Sequence, residues 1–372
     1  MPSQEDAVRH RPPPCFARGA KLCYTLPMEQ NTQQRGGAME PKASIVLPNL
    51  NGAGWLEGCI QSLYAQTEQG FELIIVDNGS TDESLATARG WAAREENCRL
   101  VEMGENTGFS RAVNRGISLS RAPYVLLFNN DAFAEPGMLS TLLSRIEQAG
   151  DIFAVQPLMR RHFEPEKADD CGDFVTLFGW AFKRGDGLPA ARYQKAGRVF
   201  SACGGAALYR KSLLGEIGGF EEHFFAYLED VDISWRANSR GYRCLYEPAA
   251  CCTHICGATT NRGKGGQYNA FKSIQSGRNS LLLPYKNMPL LMLVLNFPFL
   301  LVGYLVKTLV FHLRGFGPPW RQGFLEGMRL LGTLEKPRFR AAHLPHYLWV
   351  QGSLITGFFR YVSYRLRRLF AR

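Results

Sequence analysis

Leu73-Ile74-Ile75-Val76-Asp77-Asn78-Gly79-Ser80-Thr81-Asp82 decides the fold. A short run that is apolar at every position must be covered on both faces, which is how strands of a parallel sheet in an α/β protein read. The run stops at an acid followed by turn residues, with Asp82 placed to cap a following helix. The same grammar repeats on either side. Upstream, Ser44-Ile45-Val46-Leu47-Pro48 reads as a buried strand that Pro48 ends, and Trp55 to Gln66 carries Leu56, Ile60, Leu63 and Tyr64 at helical spacing. Downstream come a helix over Glu83 to Arg94, a weaker strand at Arg99-Leu100-Val101, and a helix over Gly108 to Leu119. A fourth strand, Tyr124 to Phe128, ends at Asn129-Asn130-Asp131, and a helix over Met138 to Gln148 follows. Strands alternating with helices predict an α/β fold with a mixed or parallel sheet flanked by helices. Such sheets bind ligands at the carboxyl ends of their strands, which is where Asp77 and Asp131 fall.

At 372 residues, 45% apolar and 20% charged, the chain is large enough for a proper core. Its net charge of +10 is concentrated: residues 307–372 hold twelve Lys/Arg against two Asp/Glu, so the rest is neutral. A neutral body with a basic, apolar tail excludes the usual nucleic-acid binder, whose basic patch lies on the folded domain, and fits a protein held against anionic lipid. Residues 1–40 lack an apolar period and read as a disordered leader; Met39 stands as a candidate start. No secretory h-region precedes the domain, which places the ten cysteines in a reducing compartment as free thiols. The Cys251-Cys252-Thr253-His254-Ile255-Cys256 cluster has no second ligand knuckle, so its cysteines read as small buried hydrophobes rather than a zinc site.

Five motifs, in order, carry chemistry. They are Pro48-Asn49-Leu50-Asn51-Gly52; Asp77 with Asn78; Asn106-Thr107-Gly108-Phe109-Ser110-Arg111-Ala112-Val113-Asn114; Asn129-Asn130-Asp131; and Gly218-Gly219-Phe220 through Leu228-Glu229-Asp230-Val231-Asp232. Each alone has a bland reading: acids are common in turns, and five acids in one short stretch look like a solvated face. Yet the last set lies among Phe224, Phe225, Tyr227, Leu228, Ile233 and Trp235, which implies partial burial.

From about Ser44 to Lys286 the chain resembles the family-2 glycosyltransferases of the GT-A fold, and most closely the rhamnosyltransferase-like branch that builds bacterial surface polysaccharides. The resemblance implies a nucleotide-diphospho-sugar fold and an inverting transfer of a sugar to an acceptor hydroxyl. Asp77 would accept from the pyrimidine ring N–H, a task for a group that only accepts. Pro48, Asn49, Asn51, Asn78, Asn106, Gly108, Arg111, Asn114 and Asn130 would line the donor; Gly108 would allow close backbone approach, and Arg111 is either a phosphate contact or a solvated helix residue. Asp131 stands where the family has its metal motif, with Asn129 in place of the first acid. It would hold Mg²⁺ or Mn²⁺, hard-ligand cations, with His254 either completing the site or purely structural. Asp230 would be the catalytic base, supported by Glu229, Asp232 and Arg278, the last within Arg278-Asn279 and near Lys286. Gly204 and Gly205 in Cys203-Gly204-Gly205-Ala206-Ala207 would floor the acceptor site.

This gives a domain layout of leader 1–40, catalytic domain 41–286 (nucleotide half 41–150, acceptor half 151–286) and membrane-associated helical tail 287–372. Within the tail, Leu290 to Val306 is uncharged and Leu344 to Phe359 is again apolar. A single crossing would place the basic tail on the far side, which leaves an interfacial or re-entrant segment bent at Pro298, the preferred reading, or two crossings that use Leu344 to Phe359. The expected partners are a dTDP- or UDP-linked sugar donor, a lipid-linked glycan acceptor and the cytoplasmic face of the inner membrane, with no nucleic acid. The rivals are a membrane-bound inactive sugar- or nucleotide-binding scaffold, and a nucleotidyltransferase, whose basic Gly-rich loop Asn51-Gly52-Ala53-Gly54-Trp55 lacks. A processive synthase is disfavoured by the absence of Gln-x-x-Arg-Trp after Asp230.

Overall fold

The structure, a computed structural model, describes residues 40–255 and 269–370. The expected leader, Met39 and Cys256 lie outside them. Four strands open the chain: β1 (Ala43–Asn49), β2 (Phe71–Asp77), β3 (Cys98–Glu102) and β4 (Tyr124–Phe128). Helices α1 (Leu56–Tyr64), α2 (Ser84–Arg94) and α3 (Phe109–Leu119) connect them, and α4 (Met138–Ile146) follows. All seven residues of β2 are buried, as its apolar run predicts. Its period of two sorts them: Leu73 and Ile75 join Leu56, Ile60 and Leu63 of α1 on one face, while Ile74 and Val76 join Ala112 and Val113 of α3 on the other.

β1, β2, β3 and β4 are mutually parallel where they pair. The sheet then turns mixed and continues past residue 150, the boundary expected between the two halves. Strand β5 (Ala132–Ala134) is followed by β6 (Ile152–Arg161), β7 (Glu164–Asp170), β8 (Asp173–Val175), β9 (Ala181–Lys183), β10 (Gly197–Val199), β11 (Ala206–Arg210) and β12 (Arg243–His254). The order is β10-β12-β6-β11-β4-β1-β2-β3, with β5 on β12 and β7 on β6; β8 and β9 form a separate pair. β11 runs antiparallel to both β4 and β6. Pro48 does not end β1: it lies inside the strand, opposite Val76 of β2. The β1–β4 ladder has already stopped at Val46, so the N–H that proline lacks is not missed there.

Helices α5 (Lys211–Ile217) and α6 (Glu229–Ser239) cover the α3 face, and α7 (Ala270–Asn287), α8 (Leu290–Leu313), α9 (Gly317–Leu330) and α10 (Leu344–Phe370) complete the chain. A third core cluster, with Val175, Phe200, Trp235, Leu282, Leu283, Val350 and Leu354, fastens α7 and α10 to α6 and β8. α7 and α9 approach so closely at Gly277 that a Cβ there would stand 2.6 Å from Trp320 O. The uncharged run at Leu290 becomes one continuous helix through Pro298, not a re-entrant bend. Cys251 and Cys252 are buried, one on each face of the sheet.

Candidate active site

Three loops at the carboxyl ends of β1, β2 and β3 are laced together by asparagine side chains. Asn49 Nδ2 donates to Asp77 Oδ1 (2.9 Å), Ser84 Oγ (2.9 Å) and Ser80 Oγ (3.1 Å). Its Oδ1 accepts from Asn130 Nδ2 at 2.7 Å, tying in the loop after β4. Asn51, in the left-handed region at φ 52°, accepts from Thr81 N at 2.8 Å. Asp77 is buried and also accepts from Ser80 N at 3.0 Å. Asp82 accepts from Ser84 N and, across the cleft, from Ala53 N, each at 3.0 Å; it caps α2 and joins two loops. Asn78 donates to Asn106 Oδ1 at 3.1 Å and accepts from Thr107 N at 3.0 Å.

Three residues expected at the donor are engaged elsewhere. Gly108 has φ 87° and a Cβ there would meet Phe225 Cδ2 at 2.6 Å, so the close approach it permits is to Phe225. Phe109 N donates to Phe225 O at 2.6 Å in the same contact. Asn114 spends both ends of its amide on Phe220, donating to its O at 2.7 Å and accepting from its N at 2.9 Å. Arg111 pairs with Glu222 at 3.0 Å in an exposed salt bridge.

Past β4, Asp131 is buried and His254 Nε2 stands 3.1 Å from its Oδ1. That ring nitrogen is buried without an aligned hydrogen bond. On the other side of the ring, Nδ1 donates to Asp169 Oδ2 at 2.9 Å, so that Nε2, once its own proton is lost, presents a lone pair toward Asp131. Burial alone would lower the His254 pKa, but Asp131 and Asp169 raise it to about 10. The carboxylate oxygen of Asp131 and the ring nitrogen of His254, 3.1 Å apart, are donors of the kind that would hold a divalent cation once the ring proton is displaced. Among the described residues no group of three or more His, Cys, Asp or Glu could hold a metal, so further ligands would have to come with the substrate.

Sequence reasoning missed what stands behind His254. Asp169, Asp170 and Asp173 are all buried. Lys183 Nζ reaches Asp169 at 3.1 Å and Asp170 at 4.0 Å. Burial would raise Asp169, but Lys183 and His254 hold it well below the usual carboxylate range; burial and Asp169 bring Asp170 to about 6 despite Lys183. Gln156 then donates to Asp170 at 2.8 Å and accepts from Cys203 N at 2.8 Å. In the sequence these acids close a run, Glu164-Pro165-Glu166-Lys167-Ala168-Asp169-Asp170, that reads as solvated charge.

That chain arrives at Asp230. Its Oδ2 accepts from Gly204 N at 3.0 Å and its Oδ1 from Val231 N at 2.8 Å. Burial raises its pKa and the two amides oppose the rise. Gly205 O accepts from Asn129 N at 2.9 Å, so Gly204-Gly205 joins the Asp131 loop to the Asp230 loop. Glu229 is buried with one carboxylate oxygen unpartnered, and burial plus Asp230 push it well above the usual range. Asp232 is fully buried against Arg236 (2.7 Å), Lys286 (3.1 Å) and Asn287 (2.8 Å), a structural hub that supports the helix carrying Asp230. Before α6 the backbone enters the left-handed region at Phe225, Tyr227 and Leu228, at φ 52°, 69° and 71°, an unusual density of strain for non-glycine residues. Asn279 holds that segment, donating to Phe224 O, Ala226 O and Tyr227 O at 3.1, 2.8 and 2.7 Å. Arg278 donates to Phe224 O at 2.9 Å; both act through the backbone.

The glycosyl transferase family 2 profile matches residues 44–218. An N-acetylglucosaminyl-diphospho-decaprenol L-rhamnosyltransferase of Mycobacterium tuberculosis is 31% identical over 238 residues, covering 56% of this chain and 74% of the relative. The chain belongs to glycosyl transferase family 2. It is a glycosyltransferase, and the nucleotidyltransferase alternative falls. A PGL/p-HBAD biosynthesis glycosyltransferase of Mycobacterium bovis is 27% identical over 209 residues, covering 56% of this chain and 72% of its own. Among solved structures, GalNAc-T7 with UDP, GalNAc and Mn²⁺ superposes with a TM-score of 0.54 at 14% identity. The match covers 67% of this chain and 48% of that one, and at that identity it establishes the GT-A fold alone.

Proposed function

We propose that this transferase moves a sugar, with inversion, from a nucleoside diphosphate to an acceptor hydroxyl in cell-surface polysaccharide or glycolipid synthesis, using a divalent cation held by Asp131 and His254. The observation that carries the reading is Asp230. Its carboxylate is oriented through both oxygens by backbone amides, and its pKa is raised by burial, the condition of a general base. As the acceptor oxygen bonds to the anomeric carbon, Asp230 takes its proton and the nucleoside diphosphate departs. A bound Mg²⁺ or Mn²⁺ neutralises that leaving group. Asp77 keeps a lone pair on each oxygen beyond its bonds to Asn49 and Ser80, enough to accept from a uracil or thymine N–H. The rhamnosyltransferase relative supports rhamnose as the sugar and a lipid-linked acceptor; the donor is then dTDP-rhamnose, ahead of a UDP-hexose.

The C-terminal helices support work at the cytoplasmic face of the inner membrane. α8 is, among the described residues, the one helix long and apolar enough to cross a membrane. Yet Met292, Asn296, Gly303 and Phe311 of one face are buried, Trp180 Nε1 donates to Gly303 O at 3.0 Å, and Asn296 bonds Gln351 at 2.7 Å. The opposite face, with Leu291, Leu295, Val302, Leu305 and Leu309, is exposed. A helix that buries one face at Met292, Asn296, Gly303 and Phe311 and exposes the other fits a position in the membrane surface rather than through it.

A thermal-shift panel tests the donor site. UDP, dTDP, GDP and ADP are each added with and without Mn²⁺ to the protein and to Asp131→Ala. A ligand at a hundredfold its dissociation constant adds about 2.7 kcal/mol. A shift with one pyrimidine diphosphate, dependent on metal and lost in the variant, is expected. No shift with any nucleotide, from folded protein, would overturn the reading.

A further inference from the structure

Away from the loops that carry Asp77, Asp131 and Asp230, a cavity of about 670 Å³ opens between α10 and the segment from β8 to β10. Five cations line it: Arg184, Lys195, Arg198, Arg360 and Arg367. No acid lines it, and among the described residues none of the five forms an ion pair. The adjacent Asp186 turns its carboxylate to Arg161 at 2.8 Å. Three of the guanidinium groups are already positioned. Arg198 lies 3.5 Å over the Trp349 ring and donates to Asn238 Oδ1 at 3.1 Å. Arg184 lies over Tyr193 and Tyr246, at 5.4 and 5.0 Å, and donates to Cys171 O at 3.2 Å. Arg360 lies 5.5 Å from the centre of the Phe174 ring. Like charges gathered without counter-charge repel one another, and an anion relieves that cost. Guanidinium forks suit phosphate oxygens in particular.

The second half of α10 says which anion. Its residues sort into three stripes. Val350, Leu354 and Gly357 are buried on the body. Ile355, Phe359, Val362 and Leu366 form an exposed apolar stripe. Arg360, Ser363, Tyr364 and Arg367, at helical spacing between the two, line the cavity. Phe359 belongs to both the exposed stripe and the cavity wall, so the basic cavity opens at the rim of the apolar surface. A free phosphate would need no such surface. A phosphate whose ester carries hydrocarbon chains would place them along Phe359, Val362 and Leu366.

We propose that this cavity is a binding site for the phosphate headgroup of an anionic membrane lipid, separate from the donor and acceptor sites and fixing the orientation of the enzyme on its membrane. The proposal rests on the membrane-surface reading of α8, but the two fail separately.

The test is cosedimentation of the full chain with vesicles of phosphatidylcholine alone, and of phosphatidylcholine containing one part in three phosphatidylglycerol. The protein is compared with a cavity variant, Lys195→Gln/Arg360→Gln/Arg367→Gln, and a charge-matched control, Arg321→Gln/Arg329→Gln/Arg338→Gln. About tenfold tighter binding to the anionic vesicles is expected, lost in the cavity variant and kept in the control. Equal losses in both variants would reduce the effect to diffuse charge and overturn the proposal, as would no loss in the cavity variant. Inorganic pyrophosphate, titrated by calorimetry, identifies the source of the phosphate. Binding of pyrophosphate to the cavity as tight as that of the anionic vesicles would overturn a lipid occupant in favour of a soluble one. Absence of binding to phosphatidylcholine with a retained anionic preference sinks the in-plane reading of α8 and leaves the cavity site standing.

Discussion

Asp230 accepts a hydrogen bond on each carboxylate oxygen, so an amide in its place presents an N–H to an N–H and cannot take a proton. Asp230→Asn is expected to lower kcat by about 10²–10⁴-fold, the usual contribution of a general base, while donor affinity measured by thermal shift stays the same. A kcat within threefold of the unaltered protein would remove Asp230 from the chemistry. The pH dependence has a definite sign. The base must be ionised, and burial raises its folded pKa. Activity therefore falls on acidification, with a midpoint above the value of about 3.9 for a free aspartate. At this scale Asp77, Asp131 and Asp230 were legible because each stands at a position where the chain leaves a strand or enters a helix. The partner of Gly108 was not legible, for a physical reason: a glycine before a helix signals close approach without saying of what, and here the neighbour is Phe225.

Among elements, β1, β2 and β4 were legible because parallel strands covered on both faces carry unbroken apolar runs, whereas β3, half-exposed at the sheet edge, gave a weaker signal. The strands between residues 151 and 256 were not legible, since β6, β7 and β12 are broken by register shifts and β8 to β10 have three residues each. The joint between α6 and α7 was equally hidden, because its parts are 54 residues apart. Asp232 there is fully buried, and so nearly are Arg236 and Lys286, with side chains 10% and 6% exposed. Removing one partner from such a group strands the others, so Asp232→Ala should cost about 3–5 kcal/mol in urea unfolding at neutral pH. Burial would raise Asp232, but Arg236 and Lys286 hold it below its ordinary value. A depressed carboxylate stabilises the fold above its unfolded pKa of about 3.9 and ceases to do so as pH falls through the folded value. The gap between variant and unaltered protein should therefore narrow below about pH 4. A loss under about 1 kcal/mol at neutral pH would mean that the joint carries little.

For the whole molecule, charge and apolar surface are segregated: a neutral catalytic body carries its entire excess of positive charge, +10, on the last 66 residues, beside the exposed faces of α8 and α10. The two topologies open to α8 differ in one respect that a single experiment reads. A helix of 24 residues is about 36 Å long, sufficient to span the hydrocarbon core. If it spans, Leu290 and Leu313 lie on opposite sides; if it lies in the surface, packed through Asn296 and Gly303 on the body, both lie on the catalytic side. Both side chains are strongly exposed, at 72% and 76%, so a cysteine at either position meets the solvent or the headgroup layer at no packing cost. In sealed inside-out membrane vesicles, a membrane-impermeant maleimide should label both Leu290→Cys and Leu313→Cys above the unsubstituted protein. Labelling of only one before detergent is added would show a crossing. It would also detach α8 from the contacts with Trp180 and Gln351 that hold it to the body, so the same result would require the C-terminal helices to repack.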